Sequence, residues 1–478
     1  MILSILLAVN CVSAAEGEQA DQFSTSDETG IDEALTADAD PGTFTDLNNE
    51  ISTATDNTIE LDKDYKHNDS VDSNFNRTTG IQITKNNLVI DGKGHTINGN
   101  SKAPIFNITA NNTVFKNIGF INGYANLYGG GIRFTNCENI TIINCTFTNN
   151  HASSGGALYF LNCTNIEIVN STFNKNDAGT NGGAIYLDNC EDNRIMNSNF
   201  TNNTAKNLAG GIYVNNYTII ENSIFTQNSV GNGVLSNGGG INIANGKIKN
   251  STFIKNSVKG RGGAVFIGSG TIENSTFIQN NAKEGGAIGG YADLITTSMF
   301  VNNTASQAAS AFSGSGKITN SIFKQYLTSN LESINMSSGI ISNCTLINKG
   351  VVHYSYKPIN LTIENSLFLN ANIVNVQDGL TLSNNIMKDG YVKNDAKIES
   401  PVYFMVPNYA QTPEDTEILA KMFDDNGNTI LSRMVVQSYF NFTVENANHE
   451  NETVVPSEYT QINGIWYFKT THDLDEGN

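Results

Sequence analysis

Proline is scarce in this chain, 7 residues among 478 against 43 glycines. A proline-rich stalk is thereby excluded, and frequent tight turns are expected instead. Charge is thin too, only 15 % of residues being Asp, Glu, Lys or Arg. Basic side chains number 27 against 46 acidic ones, a formal net charge of −19. Such a surface repels nucleic acid and anionic membranes, so neither is an expected partner. After the first residues no apolar run approaches the roughly eighteen residues of a spanning helix, and no membrane span is expected. The six histidines (His67, His95, His151, His353, His449 and His472) are scattered without ligand spacing. No metal site and no cofactor are expected from them. Asn, Ser and Thr carry most of the polarity.

Composition shifts along the chain divide it into five stretches. Residues 1–15, "MILSILLAVNCVSAA", are apolar and end in small residues before an acidic stretch, as a secretory signal does. The product is therefore expected to be secreted or displayed at the cell surface. Residues 16–42 form an acidic, unpatterned leader. Residues 43–85 read as an N-terminal cap, with Phe44, Leu47 and Ile51 at helical spacing and Thr43 or Thr45 as N-cap. Residues 86–398 carry repeats. Residues 399–478 alternate over longer strands around the turn Asp424–Asn428 and include the single Trp466. That last stretch reads as an Ig-like β-sandwich module, truncated at its end.

The repeat is a sentence such as "NSTFNKNDAGTNGGAIYL", from Asn170 to Leu187. Its phenylalanine recurs at Phe120, Phe147, Phe173, Phe200, Phe225, Phe253, Phe277, Phe300 and Phe323, and Leu346 and Phe368 keep the register. An asparagine follows three residues later at Asn150, Asn176, Asn203, Asn228, Asn256, Asn280 and Asn303. Glycine pairs then open an apolar run, from Gly130-Gly131 and Gly155-Gly156 through Gly182-Gly183, Gly210-Gly211, Gly239-Gly240 and Gly262-Gly263 to Gly285-Gly286. The pieces between are too short for helices, and Gly and Asn supply positive-φ turns at little cost. A period of 22 to 28 residues with two or three short strands predicts the coil of a right-handed parallel β-helix, about a dozen coils in all. Superposed coils turn each recurring residue into a column one rung, about 4.8 Å, apart. The phenylalanines then form an interior stack, the asparagines a turn ladder, and the glycines a sharp corner. These are structural duties.

The same columns place the cysteines. Cys137, Cys163 and Cys190 share one column, and Cys145 and Cys344 take the serine slot of Asn-Ser-Thr-Phe. Stacked free thiols are the favoured reading, with a bridge between neighbouring coils as the alternative. Glu221, Lys249 and Glu273 fall on three successive rungs and predict a surface ion ladder. Sequons are abundant, but the repeat writes most of them; Asn68, Asn76 and Asn451 stand outside it and suit a glycan better.

The paired Phe-x-x-Asn and Gly-Gly-Ala-Ile/Leu/Val motifs resemble the repeats of the chlamydial polymorphic outer-membrane proteins. The layout from about residue 44 onward, with "IDGKGHTING" (Ile90 to Gly99) among the early coils, more closely resembles the adhesin-like surface proteins of methanogenic archaea. That resemblance implies an extracellular β-helix engaged in contact with other cells or surface glycans. Binding is expected in loops that vary while the columns stay fixed, such as Gly123–Tyr128 and Ser229–Asn237.

A polysaccharide lyase, hydrolase or epimerase is the rival reading, and a purely structural surface protein the plainest one. Glycoside hydrolysis needs two carboxylates on one face, and no coil supplies such a pair. Asp91 and His95 are the best single candidates for chemistry, yet a turn role explains them more simply. Arg133, Arg194 and Arg261 are isolated. No enzyme is therefore expected.

Overall fold

The computed structural model describes residues 40–394, apart from short stretches at 232, 234–235, 326–330, 354–359, 376–378 and 389–391, together with six strands between 408 and 470. Phe44–Thr53 is the helix α1, opened by a capping box in which Thr43 and Asp46 each accept the other's backbone N–H. The buried carboxylate of Asp72 adds bonds to the N–H groups of Phe44 and Thr45. Phe44, Leu47 and Ile51 turn into the core, as their spacing predicts.

Parallel pairing begins at Thr58–Glu60, which lies against Val89–Asp91. Coils therefore start inside the stretch assigned to the cap, well before residue 86. Three parallel sheets follow. A long sheet of 22 strands wraps two sides of the solenoid; a 14-stranded sheet holds the phenylalanines; a short sheet of seven strands runs from His151–Ser154 to Thr304–Ala308. Fourteen rungs at about 4.8 Å make the phenylalanine sheet about 62 Å long. The chain is a right-handed parallel β-helix, whose hand is the one a right-twisted strand imposes on its crossover.

Its interior is built of files. Nine phenylalanine rings from Phe120 to Phe323 stack with centroids 4.5–4.9 Å apart and tilts of at most 10°. Phe147, Phe173, Phe200, Phe225, Phe253 and Phe277 are all fully buried. Beside them runs the asparagine ladder. Each of Asn150, Asn176, Asn203, Asn228, Asn256 and Asn280 donates Nδ2–H to Oδ1 of the asparagine one coil on, at 2.9–3.0 Å. The same oxygen accepts the donor's backbone N–H, and Nδ2 also reaches a phenylalanine carbonyl of the preceding coil. Every polar atom of these buried amides is matched, which is what makes the column tolerable in a core.

The corner before each phenylalanine strand is set by an asparagine in the left-handed region, from Asn144 through Asn170 to Asn384, at φ of 46° to 52°; Thr297 takes that place in one coil. After it comes a serine whose Oγ bonds the carbonyl two residues back, as Ser171 does to Val169 at 2.9 Å. Cys145 and Cys344 fill that slot, as expected, with Sγ 3.3 Å from the equivalent carbonyl. All five cysteines among the described residues are free, buried thiols, and burial pushes those of Cys145 and Cys344 up to about 12.

The glycine corner is a triplet rather than a pair. Its first place has positive φ, at Gly129, Gly155, Gly182, Ala209, Gly238, Gly262 and Gly285. Pairs at Gly130-Gly131, Gly210-Gly211 and Gly239-Gly240 therefore lie one position later than the others. What all seven coils share is the middle glycine: a Cβ there would overlap the carbonyl oxygen of the equivalent residue one coil on. Close approach of two backbones, more than the bend itself, excludes a side chain.

Beyond the coils, Asn408–Gln411, Thr416–Ala420, Ile465–Thr470 and Glu458–Ile462 form an antiparallel sheet in that order, and Phe442–Glu445 pairs with Asn451–Val454. The expected turn Asp424–Asn428 lies outside the described residues.

Candidate functional site

With the phenylalanine and asparagine columns inside, recognition falls to residues that strand alternation turns outward. On the long sheet one such file reads Arg133, Tyr159, Tyr186, Tyr213, Asn242 and Phe266 in direct register. Tyr128, from the loop Gly123–Tyr128, stacks on Tyr159 at 4.4 Å; Tyr159 meets Tyr186 at 5.2 Å and Tyr186 meets Tyr213 at 4.7 Å. The Arg133 guanidinium lies 5.4 Å from the Tyr128 ring centroid, a cation–π distance.

Burial, helped by the charge of Asp188, pushes the Tyr159 hydroxyl up to about 12, and those of Tyr186 and Tyr213 move the same way for the same reasons. At neutral pH these hydroxyls are protonated donors. Among the described residues none of the four phenol oxygens takes a protein hydrogen bond. The strip is rigid and amphipathic, with Tyr128, Tyr186 and Tyr213 half-buried and Tyr159 buried, at 4 % exposure.

Around the glycine corner, on the short sheet, a second group assembles from the same loop. Tyr124 stacks on His151 at 4.7 Å, and the Arg77 guanidinium lies 4.1 Å from the Tyr124 ring centroid. The Asp177 carboxylate holds His151 Nδ1 at 2.8 Å and accepts the Thr204 hydroxyl. A hydrogen bond from His151 lowers the Asp177 carboxyl below its ordinary value.

Asp91 and His95 do not form a pair. Burial alone would raise the Asp91 carboxyl, but bonds from Asn117, the Lys93 N–H and Lys116 hold it far below the usual range. His95 turns instead to Asp64, at 3.3 Å. Lys93 at φ 50° and Gly94 at φ 95° form the turn between them. Arg194 meets Glu221 at 3.8 Å and Arg261 meets Glu284 at 2.9 Å. The ion ladder needs a correction: Glu221, Lys249 and Glu273 are in register, but Glu273 bonds Lys247, at 2.9 Å. Lys247 and Lys249 share a face two residues apart, so a long side chain reaches the diagonal. Among the described residues no group of three His, Cys, Asp or Glu side chains could hold a metal ion, and no helix is long and apolar enough to cross a membrane.

The tyrosine file was missed in the sequence although its signal was present, since Tyr159, Tyr186 and Tyr213 recur at the repeat period directly after each glycine corner. Tyr124 and His151 stand 27 residues apart, each four places after its marker phenylalanine, and pair one coil on the next, whereas no spacing connects Arg77, on a hairpin, to them.

Comparison with known proteins bears on the fold. Residues 79–248 match the family described as "Right handed beta helix region". No curated protein sequence matches. Among solved structures, a PL6 alginate lyase in complex with a trisaccharide is 12 % identical, with 76 % of this chain and 87 % of that one covered at a TM-score of 0.45. Another alginate lyase, in complex with G6, is 12 % identical over 81 % and 89 % at 0.37. PfbA, a surface adhesin of Streptococcus pneumoniae, is 13 % identical over 91 % and 99 % at 0.27.

Proposed function

We propose that this chain is an adhesin-like protein, exported and displayed at the cell surface, which contacts glycans through the tyrosine file. The observation that carries this reading is the stack Tyr128–Tyr159–Tyr186–Tyr213, rooted in a solenoid that holds its members rigid. Tyrosine offers large amphipathic area at low entropic cost, a property of recognition surfaces. Its neutral hydroxyls at rung spacing suit the hydroxyl rows of an extended sugar chain. Each contact is weak, and display in many copies raises avidity without new contacts.

A glycan array probed with the full chain tests the reading. A subset of glycans is expected to bind, and the double variant Tyr186→Ser/Tyr213→Ser, at the half-buried members of the file, is expected to lose that binding while keeping its β-rich circular dichroism. Unchanged binding by the variant removes the tyrosine file from the reading; no binding to any glycan or cell leaves a structural surface protein. Cleavage of a bound polysaccharide, followed as new sugar ends, replaces the adhesin by a polysaccharide-active enzyme.

A further inference from the structure

Arg77 is exposed, yet it is held from three sides. It occupies the tip of a tight hairpin in which Asn76 and Thr79 exchange backbone bonds of 3.0 and 2.8 Å. Asn76 Oδ1 closes that tip by accepting the N–H and hydroxyl of Thr78 at 3.0 and 2.7 Å. The Arg77 carbonyl takes the N–H of Asn126 at 2.8 Å, which ties the hairpin to the loop bearing Tyr124. Its guanidinium then lies over the Tyr124 ring. Among the described residues no acceptor engages the guanidinium. An arginine so fixed, with its donor fork unengaged, is pre-organised for a planar anion.

On the far face of Tyr124 lies His151, its Nδ1 fixed by Asp177, which leaves Nε2 as the other polar edge of the ring. From His151 an outward file continues along the short sheet as Asp177, Thr204, Ser229, Ser257, Asn281 and Thr304. Asp177 is the file's only carboxylate, and both its oxygens are engaged by His151 and Thr204. The rest are hydroxyls and an amide.

We infer that Arg77, Tyr124 and His151 form a binding site for the carboxylate of an acidic sugar unit, with the Thr204–Thr304 file receiving the hydroxyls of the neighbouring units. The guanidinium takes the carboxylate edge-on in two parallel bonds. Tyr124 keeps the fork flat, and His151 marks where the first neighbouring sugar lies. A sugar chain is favoured over an acidic peptide for two reasons. A peptide would need apolar anchor pockets or an open sheet edge. The strands of the short sheet are paired to neighbours on both sides from Asp177–Asn181 to Asn281–Glu284, and its outward file is polar. The inference stands on this corner and does not depend on the tyrosine file.

Calorimetric titration of the full chain with oligogalacturonate and oligomannuronate, beside the same oligomers reduced at their carboxyls, tests it. The acidic oligomers are expected to bind and the reduced ones to bind at least about tenfold more weakly. Arg77→Ala is expected to weaken binding of the acidic oligomers about ten- to a hundredfold, as loss of a charged hydrogen-bonded pair does. Arg77→Lys, with the charge but not the fork, is expected to recover only part of it. Because Arg77 is exposed, its variants should unfold at the parent's temperature. His151→Ala should weaken both kinds of oligomer, whereas Lys247→Ala, on the long sheet and in neither site, should leave both affinities unchanged. Equal affinity for acidic and reduced oligomers, full binding by Arg77→Ala, or polyglutamate binding as tightly as the acidic sugars would overturn the site.

Discussion

Coils between Phe147 and Asn303 and those after Ser310 are built on the same phenylalanine register but differ at one corner. In the first group the chain passes the phenylalanine, turns at a buried asparagine, adds a strand of the short sheet, and turns again at the glycine triplet. In the second group the place that follows Asn303 in the file falls on Tyr326, outside the described residues, the glycine triplet has become Ala309-Ser310-Ala311, and the short sheet has ended at Thr304–Ala308. The serine corner, by contrast, runs on through Ser321, Cys344 and Ser366. The comparison separates two kinds of corner. The serine corner bonds its own backbone through Oγ and gives its N–H to the Oγ one coil on, and it runs on past the end of the short sheet. The asparagine and glycine corners also meet the next coil and run over nearly the same stretch, the glycine corner from Gly129 to Gly285 and the asparagine from Asn150 to Asn303. Gln325, which aligns with Asn302 rather than with the ladder, is buried, and among the described residues neither its Nε2 nor its Oε1 has a partner.

The largest effect should come from breaking the shared corner. Asn256→Ala removes bonds to Phe225 and Asn280 and leaves both donors of Asn228 without their acceptor. Chemical unfolding should show a loss of about 5 kcal/mol, given roughly 1–3 for each buried group left unmatched. A loss below that of an exposed residue would mean the ladder is not buried. Phe253→Ala follows, at about 4 kcal/mol for an emptied ring site; the same assay reads it, and a small value would put the stack in contact with solvent. Gln325→Leu runs the other way. Replacing an unmatched buried amide by a similar apolar volume should stabilise by about 1 kcal/mol, a gain that Asn256→Leu cannot show. Lys247→Ala should cost less than about 1 kcal/mol and even less in high salt, because its ion pair is a surface one.

Much of this fold was legible before any coordinates. The phenylalanine and asparagine files could be read from their period because each member does the same buried task in the same surroundings. The glycine corner was legible only in part: pairs were visible, but the constraint falls on the middle of three residues, and only the neighbouring backbone reveals which one that is. The Lys247–Glu273 pair escaped because register fixes which strands meet, while a flexible side chain chooses between a direct and a diagonal partner. Candidate binding residues were the least legible. The loop Gly123–Tyr128 stood out as a place for function, but Arg77 joins it through a backbone bond to Asn126 and a ring contact, and neither leaves a mark in the spacing of residues.

The asparagine ladder also has a direction. From Asn150 to Asn280 the amide-to-amide bonds all run toward the C-terminus, while the other Nδ2–H of each returns to a phenylalanine carbonyl of the coil before. A solenoid cut after any of these coils ends in two N–H donors, one from the backbone and one from the side chain, whose only acceptors belong to the next coil in the chain. Its C-terminal end is thus a template for one more identical turn, while the opposite end is closed by Gly123, whose N–H bonds Asn150 Oδ1. Seen as a growing filament, the molecule has one sealed pole and one that invites addition. Among the described residues the ladder runs as far as Asn303, whose Nδ2 bonds the Phe277 carbonyl of the coil before.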